Sequence, residues 1–184
     1  IMKYSDDYHD YVIKDGKFVG KFEKMYQDHE SPWHQKDIKF QSDRAVSIEY
    51  LRRIEKKDVG RGHNANDGIN VLELGCGLGY FTEQIRQILY NNSKILGIDI
   101  SETAIKKAKK RFTKCNFQVG DILDFNIYKE FNPNVILMPQ ITWYVLDKIK
   151  PLLEFLKNNY SNVIIIHNLV TYPKGVQQYG KEYF

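Results

Sequence analysis

Three glycines at alternate positions, Gly75, Gly77 and Gly79, follow a short apolar run and precede a stretch typical of a helix. Glycine is needed where the backbone takes a positive φ or where a ligand must approach the main chain closely. A strand, a tight glycine turn and a helix form the first half of a nucleotide-binding βαβ unit. The turn therefore predicts a nucleotide-like ligand held against the backbone.

The spacing of this turn differs from that of a dinucleotide site. A pyrophosphate-binding turn has the pattern G-x-G-x-x-G, but here the third glycine comes one residue earlier, and Glu73 stands before the first. The run E-L-G-C-G-L-G, in which Cys76 lies between two glycines, resembles motif I of the class I S-adenosylmethionine (SAM) methyltransferases. The resemblance implies that the turn passes under the amino-acid part of SAM and binds no phosphate.

An acid at the end of the next predicted strand, residues 94–100, supports a ribose site. An ionised carboxylate only accepts hydrogen bonds, and Asp99 could therefore serve both ribose hydroxyls of an adenosine. The alternative is that Asp99 caps a helix that begins near Ser101, although Ser101 is itself a good N-cap residue.

The resemblance also implies an adenine site. In the family, an acid at the end of the third strand bonds the adenine amino group, and Asp121, at the end of predicted strand 116–121, matches that position. Ile122 and Ile100 would then cover the two faces of the ring. A helix-capping role is the alternative for Asp121.

Polar and aromatic residues follow the fourth predicted strand, 134–138. Open α/β sheets bind ligands beyond the carboxyl ends of their strands, so Pro139, Gln140 and Trp143 should border the methyl-transfer centre. Trp143 could equally be a core aromatic. DNA adenine and some glutamine methyltransferases carry Asn-Pro-Pro-Tyr here, and its absence from the sequence argues against those acceptors.

Two histidines are candidates for a general base, which a hydroxyl acceptor needs and a neutral amine does not. His167 ends the fifth predicted strand, 162–167, where it would face the ligand edge with Asn168 against the acceptor. His34 is the second candidate, and a structural role is the alternative. The other histidines lie in polar segments and carry little signal: His9, His29 and His63.

Residues 1–42 are predicted to form a lid over the core of residues 43–184, together one compact domain. Within the lid, Trp33 could close over the sulfonium by a cation–π attraction of roughly 0.5–2 kcal/mol. Gln35 could hold the methionine carboxylate, and Tyr26 could contact the acceptor. Packing is the alternative for both aromatic residues. Asp15-Gly16, between β-prone residues, predicts a hairpin turn.

Strands and helices are predicted to alternate along the core. The predicted helices cover residues 43–56, 79–90, 102–113 and 125–130, with a last one around Leu152 that admits Pro151 only in its first turn. The strands are those above and residues 70–74, and 59–68 should be a loop. This order predicts a Rossmann-like, doubly wound, mostly parallel sheet. Residues 171–184 hold no two strand-like runs for the family's C-terminal strand pair. We therefore expect that the natural protein continues and that this chain is a truncated catalytic core, and the alternative is that a partner supplies the missing edge.

Composition is that of an ordinary globular domain. The chain has 184 residues, of which 42% are hydrophobic and 27% charged, with a net charge of +4 that is too small to indicate nucleic acid. No apolar run reaches the roughly 20 residues that span a bilayer. The two cysteines, Cys76 and Cys115, form no metal-binding pattern. A reduced cytoplasmic setting, no metal, no membrane and no signal peptide are therefore expected.

The sequence thus predicts a SAM-dependent methyltransferase that leaves S-adenosylhomocysteine (SAH) as product. The lid resembles small bacterial methyltransferases of capsule and surface-polysaccharide biosynthesis, which implies an oxygen or nitrogen acceptor on a sugar or a phosphate-linked precursor. The alternatives are a NAD-dependent oxidoreductase and a non-catalytic SAM-binding domain. Oligomeric state stays open. Four lysines could form a basic rim for a phosphate, or an ordinary solvated surface: Lys14, Lys17, Lys21 and Lys24.

Overall fold

The computed structural model describes residues 7–37, 42–60, 68–90 and 92–170. The strands are β1 (Ile13–Lys14), β2 (Lys17–Phe18), β3 (Asn70–Leu74), β4 (Lys94–Asp99), β5 (Asn116–Val119), β6 (Val135–Pro139) and β7 (Ile164–Asn168). The helices are α1 (Phe22–Asp28), α2 (Ser42–Gly60), α3 (Tyr80–Ile88), α4 (Glu102–Arg111), α5 (Phe125–Phe131) and α6 (Leu146–Asn159). Short 3-10 helices span Asp7–Tyr11, Pro32–His34 and Thr142–Tyr144.

Strands β3 to β7 form one five-stranded sheet in the order β5-β4-β3-β6-β7, and every pair is parallel. The chain moves outward from β3 in one direction and then returns to start β6 on its other side. A crevice for ligands opens at such a reversal, beyond the carboxyl ends of the strands. The predicted Rossmann-like sheet is confirmed, whereas residues 171–184, where the missing strand pair was expected, lie outside the described residues.

Apolar residues on both faces of β3 explain why helices cover the sheet on two sides. Leu72 and Leu74 belong to a buried cluster with residues of α5 and α6, while Val71 belongs to another with α2 and α3. Parallel strands that are buried on both faces have near-continuous apolar sequences of this kind. The two layers fix the strand ends that carry the candidate site residues.

Helix α4 begins where its sequence predicts. The Ser101 side chain accepts a hydrogen bond from the Ala104 amide at 3.0 Å, which satisfies one of the unpaired donors of the first turn. Three basic residues in the last turn suit the negative end of the helix dipole. The cap places the start of α4 directly beside the end of β4.

Two predicted boundaries are wrong. Helix α2 continues to Gly60, so residues 59 and 60 are helical and not the start of a loop. Helix α6 begins at Leu146, so Pro151 lies inside it and not in its first turn. Proline removes one helical hydrogen bond, but burial of Leu152 and Leu156 against the sheet compensates for that loss. None of the helices in the described segments is long and apolar enough to cross a membrane.

The segment before α2 packs against the glycine turn. Its hairpin turns at Asp15 and Gly16, both with positive φ, as the sequence predicts. Tyr8 and Tyr26 lie in one buried cluster with Leu78 of the turn. The following residues of the segment and of the core complete this cluster: Val12, Met25 and Ala104.

A carboxylate joins this segment to the start of α4. Glu23 accepts hydrogen bonds from the Ser101 hydroxyl at 2.6 Å, the Thr103 hydroxyl at 2.5 Å and the Thr103 amide at 3.2 Å. Burial opposes ionisation of Glu23, but these hydrogen bonds outweigh it and lower its pKa to about 2. The segment is thus held on the helix that follows β4.

Candidate active site

A cavity of about 820 Å³ lies at the carboxyl ends of β3, β4 and β6, within the size range of small-molecule sites. The lid segment supplies one side: Tyr8, His9, Ile13, Phe18, Gly20, Phe22, Tyr26, Trp33 and Gln35. The predicted residues from the core that line it are Glu73, Gly75, Cys76, Asp99, Ile100, Asp121, Ile122, Pro139, Gln140 and Trp143. Sheet edge and lid therefore share one cavity, and five predicted residues lie outside its wall: Gly77, Gly79, His34, His167 and Asn168.

The three glycines of the turn occupy positions that disfavour any side chain. Gly75, Gly77 and Gly79 have φ values of 71°, 53° and 77°, in the left-handed region that disfavours other residues. A Cβ atom on Gly77 would lie 2.3 Å from the Gln35 side-chain nitrogen and 2.6 Å from the Tyr26 hydroxyl. The turn is thus shaped to receive the lid, and its first residues, Gly75 and Cys76, line the cavity.

The Asp99 carboxylate is bonded to the turn and to the start of α4. Its Oδ2 accepts a hydrogen bond from the Gly77 amide at 2.9 Å, and its Oδ1 accepts one from the Ser101 amide at 2.9 Å. A carboxylate has about four acceptor sites, so both oxygens can still accept from ribose hydroxyls. Burial raises the pKa of Asp99 to about 6, and the two amide bonds oppose that rise. At neutral pH the group is mostly ionised, as ribose binding requires.

Glu73 is buried in the cavity wall, and the charge of Arg44 acts on it. The Thr82 hydroxyl donates a hydrogen bond to Glu73 at 2.6 Å, while burial raises the pKa of Glu73 to about 7 and the Thr82 bond and Arg44 oppose the rise. The Arg44 guanidinium lies 5.2 Å from the centre of the Phe81 ring and donates to the Gln35 carbonyl at 3.2 Å. Arg44 lines the cavity, although nothing in its sequence context singled it out.

Gln35 links the lid to the glycine turn. Its Oε1 accepts a hydrogen bond from the Leu78 amide at 2.7 Å, and its Nε2 donates to the Tyr26 hydroxyl at 3.3 Å. Tyr26 is only 3% exposed. Tyr26 therefore lies beside the glycine turn and in the cavity wall.

The predicted adenine residues lie together at one end of the cavity. Asp121 accepts a hydrogen bond from the Leu123 amide at 2.9 Å and pairs with Lys148 of α6. Burial works against ionisation of Asp121, but the bond from Lys148 outweighs it and lowers the pKa. Ile100 is 54% exposed, whereas Ile122 is buried in the core that lines the cavity. An exposed apolar side chain beside an acid suits an adenine ring.

A hydrogen-bond network closes the opposite end, after β6. Gln140 has a φ of 59°; its Nε2 donates to Asp43 at 3.2 Å and its Oε1 accepts from the Val170 amide at 3.0 Å. The Trp143 indole donates to the Val170 carbonyl at 2.8 Å.

Asn168 accepts from the Ser47 hydroxyl at 2.9 Å. Asn168 therefore ties β7 to α2 and does not reach the cavity.

The two predicted histidine bases lie outside the cavity. His167 is exposed, and its Nε2 forms a hydrogen bond with the Thr142 hydroxyl, because successive strand side chains alternate and this one points to the Thr142 face. His34 is exposed too, with its Nδ1 3.7 Å from Asp37. His9, which the sequence did not single out, is the histidine among the lining residues.

No group of His, Cys, Asp and Glu side chains in the described residues could hold a metal ion. Both cysteines are free thiols, and burial raises the pKa of the Cys76 thiol far above its usual range. The polar side chains in the cavity wall, among them Arg44, Asp99 and Asp121, suit an organic ligand that presents hydroxyl, amino and carboxylate groups.

Comparisons with known proteins agree with this arrangement. The family described as "Methyltransferase domain" matches residues 65–182. Malonyl-[acyl-carrier protein] O-methyltransferase of Bacillus anthracis is 30% identical over 126 residues, which cover 64% of this chain and 45% of the relative. Malonyl-[acyl-carrier protein] O-methyltransferase 1 of Ilyobacter polytropus is 34% identical over 73 residues, which cover 38% of this chain and 27% of the relative. The chain thus spans less than half the length of these relatives.

Solved structures share the fold. DszA carbon methyltransferase has a TM-score of 0.62 at 17% identity, covering 83% of this chain and 40% of that one. The plantazolicin methyltransferase BamL, solved with SAH, has a TM-score of 0.54 at 20% identity, covering 74% and 50%. These relatives do not support the predicted likeness to capsule methyltransferases. The family match covers more than half of the chain and shows that the chain belongs to the methyltransferase-domain family.

Proposed function

We propose that this chain transfers the methyl group of SAM to an oxygen or nitrogen atom of a small-molecule acceptor. The observation that carries the proposal is one cavity whose wall includes Asp99, at the end of β4, and Gln140 and Trp143, which follow β6 on the other side of β3. Cofactor and acceptor would share that cavity, with the lid over both. Non-catalytic SAM binding would not need the part of the cavity that follows β6.

The cofactor roles follow from the bonding of each group. Asp99 would bind the ribose, and Asp121 with Ile100 would bind the adenine. Arg44 is better suited than Gln35 to the methionine carboxylate, because Gln35 is engaged with the turn and with Tyr26, while Arg44 carries a positive charge to the cavity wall. A guanidinium can bind a carboxylate through two parallel hydrogen bonds.

SAM supplies an activated methyl group, so the chain mainly has to orient the acceptor and exclude water. Orientation of two bound reactants can lower a barrier by several kcal/mol. Trp33, whose ring centre lies 5.5 Å from that of Tyr144 and 5.0 Å from that of Tyr8, lies on the lid side of the cavity. An aromatic wall of this kind would keep water from the sulfonium.

The acceptor is proposed to be a hydroxyl or amino group, such as one on a sugar or a phosphate-linked precursor. Of the four lid lysines considered for a phosphate rim, none is in the cavity wall. A second candidate is a carboxylate on a carrier-bound acyl chain, since the Bacillus anthracis relative is named for malonyl-[acyl-carrier protein]. The glycine spacing and the family match argue against a NAD-dependent oxidoreductase.

The test is methyl transfer from radiolabelled SAM to a panel of acceptors. The panel should contain sugars with free hydroxyls, amino sugars, sugar phosphates and malonyl-pantetheine. Labelled product from a hydroxyl or amino acceptor supports the proposal. Product from malonyl-pantetheine alone favours the second candidate, and binding of SAM without turnover on any acceptor favours a binding domain.

A further inference from the structure

We propose that His9, on the lid, accepts the proton that the acceptor loses during methyl transfer. This inference rests on the proposed function, because a hydroxyl or ammonium acceptor must lose a proton whereas a carboxylate does not. It replaces the two histidines that the sequence favoured, neither of which lines the cavity.

His9 lies where lid and core meet. It belongs to the 3-10 helix Asp7–Tyr11 and lines the cavity together with Trp33 and Tyr144. Its neighbour Tyr8 is buried in one cluster with Leu78 of the glycine turn. The helix that carries His9 is therefore seated between the cofactor turn and the segment after β6, where the acceptor is expected.

Aromatic contacts fix the His9 ring and leave its nitrogens available. The ring stacks on Tyr8 with centres 4.3 Å apart and meets Trp33 edge to face at 5.2 Å. Across the described segments, neither ring nitrogen of His9 takes part in a hydrogen bond or ion pair. By contrast, His167 has its Nε2 engaged by Thr142. A general base needs both an oriented ring and an unengaged nitrogen.

The surroundings of His9 favour the neutral imidazole. Partial burial lowers its pKa from the ordinary value, Asp10 opposes this, and His34 adds to it. The direction of this pKa shift favours the neutral ring, which is the form that can take a proton, although the His9 side chain is exposed at the open cavity wall. Burial lowers the pKa of His167 as well. The choice of His9 over His167 as the base therefore depends on which side chain lines the cavity, and not on the pKa.

A hydroxyl acceptor reacts by direct displacement at the SAM methyl carbon. The oxygen lone pair forms a bond to the SAM methyl carbon, and the carbon–sulfur bond breaks with its electron pair going to sulfur, which yields SAH. The acceptor proton moves to a ring nitrogen of His9. The imidazolium then releases that proton to solvent through the cavity mouth. No oxidant or further reactant is needed.

The test compares His9→Gln with His29→Gln, which removes a histidine of the same lid that also contacts Tyr8 but does not line the cavity. General base catalysis is worth about 10²–10⁴-fold, so His9→Gln should lower kcat for a hydroxyl acceptor about 100-fold. The SAH dissociation constant should change less than about threefold. Wild-type kcat should rise with pH through the His9 pKa, and this rise should vanish in His9→Gln but not in His29→Gln.

Equal kcat values and equal pH profiles for His9→Gln and the wild type would overturn the assignment. A second measurement does not need turnover: an NMR titration of the histidine rings in the SAH complex should show a neutral His9 imidazole at the pH of the assay. A His9 ring that is still fully protonated there could not accept a proton, and this result would also overturn the assignment. Failure to bind SAM, or turnover on malonyl-pantetheine alone, would instead count against the proposed function.

Discussion

Gly77 and Asp99 are joined by a direct hydrogen bond, in which the Gly77 amide donates to Asp99 Oδ2 at 2.9 Å. The glycine turn after β3 and the acid at the end of β4 therefore form one bonded unit. The Ser101 amide, at the start of α4, donates to the other oxygen of the same carboxylate. A change in either residue should alter the position of the other. The cofactor site is thus more cooperative than a set of separate contacts.

Replacement of Asp99 should weaken SAM binding strongly. Asp99→Asn keeps the size of the side chain, but its amide nitrogen would face a backbone amide donor and could not accept from ribose. Hydrogen bonds to a charged group are worth about 1.5–3 kcal/mol, and loss of the charged acceptor for the ribose hydroxyls should therefore raise the SAM dissociation constant at least about tenfold. Asp124→Asn, which changes the cap of α5 outside the cavity wall, is the matched control in calorimetry. Unchanged affinity in Asp99→Asn would refute the ribose assignment.

Gly77→Ala should be destabilising, and part of the cost should depend on Gln35. A left-handed conformation costs a non-glycine residue roughly 1–2 kcal/mol, and the new Cβ would lie 2.3 Å from the Gln35 side chain. Removal of that side chain in Gln35→Ala should relieve part of the clash, although the Tyr26 hydroxyl at 2.6 Å remains. Urea unfolding of both single variants and the double variant measures this coupling. Strictly additive free energies would contradict the contact.

Glu23→Gln should loosen the lid in a pH-dependent way. Because the folded-state pKa of Glu23 is about 2, below its ordinary value of 4.5, its contribution is full above about pH 5 and is lost as pH falls toward 2. The variant should lose about 1 kcal/mol near neutral pH, comparable with the loss of a helix cap. The difference in Tm from the wild type should shrink with acid. Glu154→Gln, on the exposed side of α6, is the control and should show no such trend. A Tm deficit of Glu23→Gln that does not change with pH would argue against the bonding of an ionised Glu23 to Ser101 and Thr103.

The sequence predicted the core of the fold because its signals are local. Apolar runs such as Val71–Leu74, and the Ser101 cap, depend on neighbours within a few residues, so the five strands and the start of α4 lie within about two residues of their predicted positions. The boundaries that failed depend on tertiary packing. Pro151 inside α6 is tolerated because the residues after it are buried, which no local rule reveals.

The candidate site was predictable at the strand ends and only in part on the lid. Tyr26, Trp33 and Gln35 were predicted there and line the cavity, whereas His9 was not predicted. Asp99 and Gln140 could be located because the topology of a parallel sheet brings strand ends together. Arg44 and His9 reach the cavity through contacts between distant parts of the chain, and neither has a distinctive sequence context. For His167, the sequence predicted the position near the end of a strand but not the direction of the side chain. Alternation along β7 directs this side chain toward Thr142.

Calorimetric titration of the chain with SAM, SAH and NAD tests the central claim most directly. The bonding of Asp99 and the shape of the glycine turn predict binding of SAM and SAH at one site per chain and no heat from NAD. The affinity for SAH should fall in Asp99→Asn. Binding of NAD, or the absence of binding by both adenosyl ligands, would contradict the assignment of this cavity to S-adenosylmethionine.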